Sequence, residues 1–83
     1  MPIRIVLSRR FQKDLEDLPE KDREALQDLI EDFEAGKKVD ITKLGKQIWR
    51  LKIPNWRAFF RFRKEDAEFL YIERRTTTTY RKR

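Results

Sequence analysis

The chain has 83 residues, 43% of them charged, a net charge of +6, and neither cysteine nor histidine. That length allows one small domain with a modest core. The missing residue types exclude disulfides, thiolate and imidazole metal sites, and histidine as a general base. The apolar run in Met1 to Leu7 is too short for a signal peptide or a membrane span. A cytoplasmic protein without cofactor, metal or membrane anchor is expected.

The charge is unevenly placed. Residues 1–41 carry eight Lys/Arg against eleven Asp/Glu, whereas residues 42–83 carry thirteen against four. A polyanionic partner is therefore expected on the C-terminal half.

Ile3 to Leu7 reads as a first strand. Ser8 is placed to cap a helix starting near Arg9, and Phe11, Leu15 and Leu18 follow at helical spacing. Pro19 interrupts the pattern near the first turn of a second helix. Glu20 and Asp22 suit the positive end of its dipole. Ala25, Leu26, Leu29, Ile30 and Phe33 form its apolar stripe, and Gly36 ends it. The acidic residues of this hairpin, Asp14, Glu16, Asp17, Glu20, Asp28, Glu31 and Asp32, read as a solvated surface.

Val39 to Lys46 reads as a connector. Ile48 to Arg63 then alternates as two strands around a turn at Pro54-Asn55. Trp49, Leu51 and Ile53 share one face of the first strand, with Arg50 and Lys52 on the other. In the second, Trp56, Ala58, Phe60 and Phe62 oppose Arg57, Phe59, Arg61 and Arg63. Cations on one face recur about every 7 Å along a strand. Successive phosphates of a nucleic acid strand lie on the order of 6–7 Å apart. Lys64-Glu65-Asp66 reads as a turn, with Glu65 and Glu68 in or beside it. Residues 67–74 form a further strand, followed by Thr76–Thr79, Tyr80 and a basic terminus. The order β-α-α-β-β-β implies an α+β fold, with a helical hairpin packed on one face of a mainly antiparallel sheet. The other face is left to carry the charges.

With these elements in order, the chain resembles the RelE/ParE superfamily of toxins. The resemblance lies in Phe11 to Pro19 ("K-x-L-x-x-L-P"), Lys43-Leu44-Gly45, Trp49-Arg50-Leu51-Lys52-Ile53, Trp56-Arg57-Ala58-Phe59-Phe60, and Arg74 to Tyr80. It covers nearly the whole chain and implies a single toxin domain over residues 1–83. RelE-like members cleave mRNA in the ribosomal A site, ParE-like members poison DNA gyrase, and both kinds are held inactive by a cognate antitoxin. The resemblance thus implies a type II toxin that is a metal-free endoribonuclease, with mRNA, the 30S A site and an antitoxin as partners. A gyrase inhibitor and a non-enzymatic RNA- or ribosome-binding module are the alternatives.

Such a nuclease uses the RNA 2′-OH as nucleophile. It must remove that proton, stabilise the phosphorane and protonate the leaving 5′-oxygen. By resemblance, Arg50, Lys52 and Arg57 fall on basic active-site positions and Tyr80 on the C-terminal tyrosine. Lys52 is expected as the general base, its proton loosened by neighbouring cations. Arg50 and Arg57 would clamp the phosphate. Either Arg74 or Arg75 would supply a cation near the leaving oxygen, and counting does not choose between them. Tyr80 would stack on a base or pass a proton. Phe59, Arg61, Arg81, Lys82 and Arg83 are expected to bind RNA. Trp49 and Trp56 read as core or sheet-edge residues rather than stacking platforms.

Overall fold

Ser8 starts the first helix as its position in the sequence predicts. In the computed structural model, which describes residues 3–74, its hydroxyl accepts the Phe11 backbone N–H at 3.0 Å and opens α1 (Arg9–Glu16). The same hydroxyl donates to the Leu70 carbonyl at 2.8 Å. Pro19 precedes α2 (Glu20–Glu34), and Glu20 and Asp22 lie in its first turn. At its far end Gly36 takes φ 83°. Lys37 N–H reaches Asp32 O and Gly36 N–H reaches Phe33 O. This is the pairing of a Schellman motif, and the left-handed backbone is why glycine stands there.

The sheet contains β1 (Arg4–Leu7), β2 (Ile41–Lys43), β3 (Trp49–Ile53), β4 (Trp56–Arg63) and β5 (Asp66–Arg74). Their spatial order is β1-β5-β4-β3-β2. β1 runs parallel to β5, and the remaining pairs are antiparallel. The expected architecture, a helical hairpin on one face of a mainly antiparallel sheet, is what the chain adopts. Two details differ. The connector after α2 contains β2, which adds a short edge strand to the expected order. Its three residues are too few to alternate visibly, and only pairing with Trp49–Leu51 defines them. Asp66 is not a turn residue but the first of β5, opposite Arg63.

The core lies between the helices and one sheet face. Phe11, Leu26, Leu51, Phe60 and Phe69 are its largest fully buried side chains. Burying an apolar side chain of this size contributes about 1.5–3 kcal/mol. Phe33 reaches Phe60 and Phe69 edge-on, at centroid distances of 5.3 and 6.2 Å. From the α2 stripe, Leu26, Ile30 and Phe33 are buried, Leu29 is partly so, and Ala25 is exposed.

A register shift in the β4–β5 pair falls between Phe59 and Phe60 and leaves Leu70 as the extra residue of β5. The shift matters because Ala67, Phe69 and Ile72 are all buried. Strict alternation would turn Ile72 to the face opposite Phe69. Beyond the end of β1, α1 covers the outer edge of β5. Ser8 takes the Leu70 carbonyl, and Asp14 Oδ2 accepts the Ile72 N–H at 3.0 Å. Asp14 is therefore a half-buried structural acceptor, a correction to its reading as a solvated acid. Replacing Asp14 by Ala should destabilise the fold by about 1–3 kcal/mol, the cost of an orphaned buried N–H. A thermal melt matching that of the native chain would show that the bond contributes nothing.

Candidate functional site

The helices cover one sheet face, so the polar side chains of β3, β4 and β5 gather on the other. Pairing places them in rows. Lys52 stands directly opposite Arg57, and Arg57 opposite Glu73. Arg50 stands opposite Phe59, and Phe59 opposite Tyr71. Arg61 faces Glu68, and Arg63 faces Asp66, which in turn neighbours Arg4. The sheet thus brings Arg50, Lys52 and Arg57 together on one surface, as the alternation predicts. Opposed residues of adjacent strands hold their Cβ atoms about 4.5–5.5 Å apart.

Each of these cations has its own setting. Lys52 is exposed, while Arg50 and Arg57 are partly buried. Arg57 Nη1 donates to the carbonyls of Ile53 and Trp56 at 3.3 and 3.2 Å, which folds the guanidinium toward the Pro54-Asn55 turn. The Arg50 Nε–H is buried with no hydrogen-bond partner. Leaving such a donor unpaired costs about 1–3 kcal/mol, a cost borne here at the centre of the cationic surface. Phe59 stacks on Tyr71 at 4.8 Å, and the Arg10 guanidinium lies 4.9 Å from the Tyr71 centroid. One face of Phe59 is thereby covered by a ring of the protein itself.

Three carboxylates share this surface. Glu68 accepts from Arg61 Nε at 2.8 Å. Asp66 accepts from Arg4 Nε and Nη2 at 3.0 and 3.2 Å, and this hydrogen bond raises the Arg4 guanidinium above its ordinary pKa. Glu73 stands across from Arg57. Glu68 lies within β5, not beside a turn. Sequence reasoning missed Tyr71 and these acids as parts of the surface, because the shift at Leu70 decides which β5 residues share a face, and it missed Arg10 because the contact with Tyr71 joins a helix to a distant strand. Among the described residues, no cluster of acidic side chains is placed to hold a metal ion.

Arg74 goes elsewhere. It pairs across the sheet with Trp56, and its guanidinium lies 6.0 Å from the Trp56 ring. The Trp56 Nε1–H donates to Asp22 of α2 at 2.7 Å, so both residues belong to the helix side. The structure does not bring Arg74 to Arg50, Lys52 and Arg57. Arg75, Tyr80, Arg81, Lys82 and Arg83 lie outside the described residues.

A cavity of about 410 Å³ is not at these cations either. It lies at the opposite end of β4, lined by Lys46, Gln47, Trp49, Arg61, Phe62 and Arg63. Among the described residues, no helix is long and apolar enough to cross a membrane.

The fold recurs in solved toxin–antitoxin complexes. A chain of the RelB–RelE complex from Methanococcus jannaschii superposes with a TM-score of 0.74 at 20% identity, over 83% of this chain and 88% of that one. A chain of the Pyrococcus horikoshii RelE–RelB complex gives 0.75 at 17% identity, covering 93% and 99%. One from the RelBE2 complex of Mycobacterium tuberculosis gives 0.75 at 15%, covering 90% and 100%. No curated protein sequence matches significantly. The architecture is that of the RelE/ParE superfamily of toxins. Residues 5–77 match the family described as ParE toxin of type II toxin–antitoxin system, parDE, and the chain belongs to that family.

The acids on the open surface should weaken its attraction for any polyanion. Glu73→Gln and Glu68→Gln are each expected to elute from a heparin column at higher salt than the native chain, and later than an α2 control, Glu24→Gln. Coincident elution of all three would mean that the β5 acids do not screen the surface.

Proposed function

We propose that this toxin is a metal-free endoribonuclease that cleaves mRNA in the ribosomal A site by attack of the 2′-OH. The observation that carries the reading is the cross-strand apposition of Lys52 and Arg57, with Arg50 beside them on the solvent-facing sheet surface. Three cations within reach of one phosphate suit a reaction whose transition state gains negative charge there. Lys52, the exposed member, accepts the 2′-OH proton once it has itself been deprotonated. Arg57 and Arg50 bind the non-bridging oxygens, a task suited to a planar fork of donors. Arg75 becomes the better candidate than Arg74 for the leaving-group side, since Arg74 is engaged with Trp56. Tyr80 keeps its proposed role against a base or in proton transfer. The reaction would take place in the cytoplasm, where ribosomes and messages are. A cognate antitoxin would hold the toxin inactive between episodes, an assignment supported by the family match and by the recurrence of the fold in toxin–antitoxin complexes.

A second reading, inhibition of DNA gyrase, is favoured by two observations. The family match is to ParE toxins, and Asp66, Glu68 and Glu73 share the cationic face. Carboxylates repel an incoming phosphate, whereas a protein target tolerates mixed charge.

The two readings part in induced cells. Under the nuclease reading, primer extension finds new 5′ ends within translated codons. Lys52→Ala and Arg57→Ala each cut the cleavage rate on programmed ribosomes by about a hundredfold or more. Intact messages together with gyrase-dependent DNA breaks would establish the second reading. Salt-sensitive ribosome binding with no cleavage would instead identify a non-enzymatic binding module.

A further inference from the structure

β3 begins at Trp49, which pairs with Phe60, yet β4 continues past Phe60 to Arg63. The last three residues of β4 therefore have no β3 neighbour. The segment between β2 and β3, with Lys46 and Gln47, stands beside them and closes the 410 Å³ groove. At this corner both sheet faces are within reach of one ligand. Arg61 and Arg63 come from the open face, Trp49 and Phe62 from the helix face. Phe62 is 39% exposed, although Trp49 touches it edge-on at 5.3 Å and Phe33 at 6.2 Å. An aromatic ring held edge-on by three others, Phe60 at 5.4 Å being the third, yet open to solvent, is a preformed stacking surface. Lys43 lies 5.9 Å from the Trp49 ring and adds a further positive charge at the rim. Arg61 is bonded to Glu68, while Lys46 and Arg63 make no ion pair among the described residues. The groove has the size of a small-ligand site, which spans about 300–1,000 Å³.

We propose that this groove is a nucleotide subsite for single-stranded RNA, with a base on Phe62 and its phosphate on Lys46 and Arg63. The assignment rests on the endoribonuclease reading and extends it. Arg57 and Arg63 share the open face six residues apart on one strand, about 20 Å at roughly 3.4 Å per residue. At on the order of 6–7 Å per nucleotide, the phosphate contact at Arg63 lies about three nucleotides from the phosphate held at Lys52 and Arg57. RNA is favoured over an acidic peptide because Lys46 and Arg63, which make no ion pair among the described residues, stand beside an open ring at this phosphate-compatible distance.

Oligoadenylates with methylated 2′-oxygens lack the attacking hydroxyl and so test binding to the intact toxin without cleavage. Their affinity, read by fluorescence anisotropy from two to eight nucleotides, should rise about tenfold or more once the chain spans both sites. Lys46→Ala with Arg63→Ala should flatten that rise. It should also lower the log–log salt slope by about 0.7, the value for one lost phosphate contact on a single strand. Phe62→Leu, which keeps an apolar side chain at the core edge, should lower the rise without changing the slope. On programmed ribosomes the groove variants should raise KM and leave kcat unchanged. An unchanged length dependence in these variants overturns the subsite. So does a loss confined to antitoxin binding, which would make the groove a protein interface. In either case cleavage and its dependence on Lys52 and Arg57 would stand, whereas failure of the nuclease reading would appear as intact messages with the native toxin.

Discussion

The fold depends on how β5 is held. This strand neighbours both β1 and β4, but β1 covers only its first part. Past Phe69 its outer backbone groups would face water or stay unpaired, as on any open sheet edge. α1 removes the problem with two side chains, the Ser8 hydroxyl on the Leu70 carbonyl and the Asp14 carboxylate on the Ile72 N–H. Both bonds require the shift at Leu70, which also returns Ile72 to the core. One irregularity in one strand thus sets the position of the first helix, the completion of the core and the face on which Tyr71 and Glu73 stand.

Charge follows from the same layering. The helix hairpin supplies most of the acid, and the strands hold eight of the seventeen Lys and Arg among the described residues. With the helices on one face, the cations of β3 and β4 have only the other face to occupy. The sheet then brings its own acids opposite them through β5. Exposed ion pairs such as Arg4–Asp66 contribute little to stability, typically about 0–1 kcal/mol. Their larger effect is on the local potential. The Arg61 and Arg63 end of the surface is partly neutralised, while on the β4 side Arg50 is opposed by Phe59 and Lys52 by Arg57.

Much of the site was legible because β3 and β4 alternate cleanly. Period-two placement of Arg50 and Lys52 against Leu51 and Ile53, and of Arg57 against Trp56 and Ala58, is enough to say which side chains share a face. The two-residue turn between them fixes their register. β5 offers no such clarity. Phe69, Leu70, Tyr71 and Ile72 form a run of four apolar residues, and alternation through it is ambiguous. Glu68, Tyr71 and Glu73 could not be assigned to the cationic face until the shift was seen. Arg10 was hidden for a different reason, since its contact with Tyr71 joins a helix to a strand some sixty residues away in sequence.

The sequence by itself determined the type of every element but β2, the helix ends at Ser8 and Gly36, the amphipathic hairpin and the lack of histidine and cysteine chemistry. Capping, alternation and composition act over a few residues, so they can be read locally. Only the tertiary structure decided that Arg74 leaves the cationic group for Trp56, that Asp14 serves the sheet, and that β4 overruns β3 to open a groove at Phe62. Each of these depends on strand length and register across the sheet, where a shift of one residue exchanges the two faces. No local pattern carries that information.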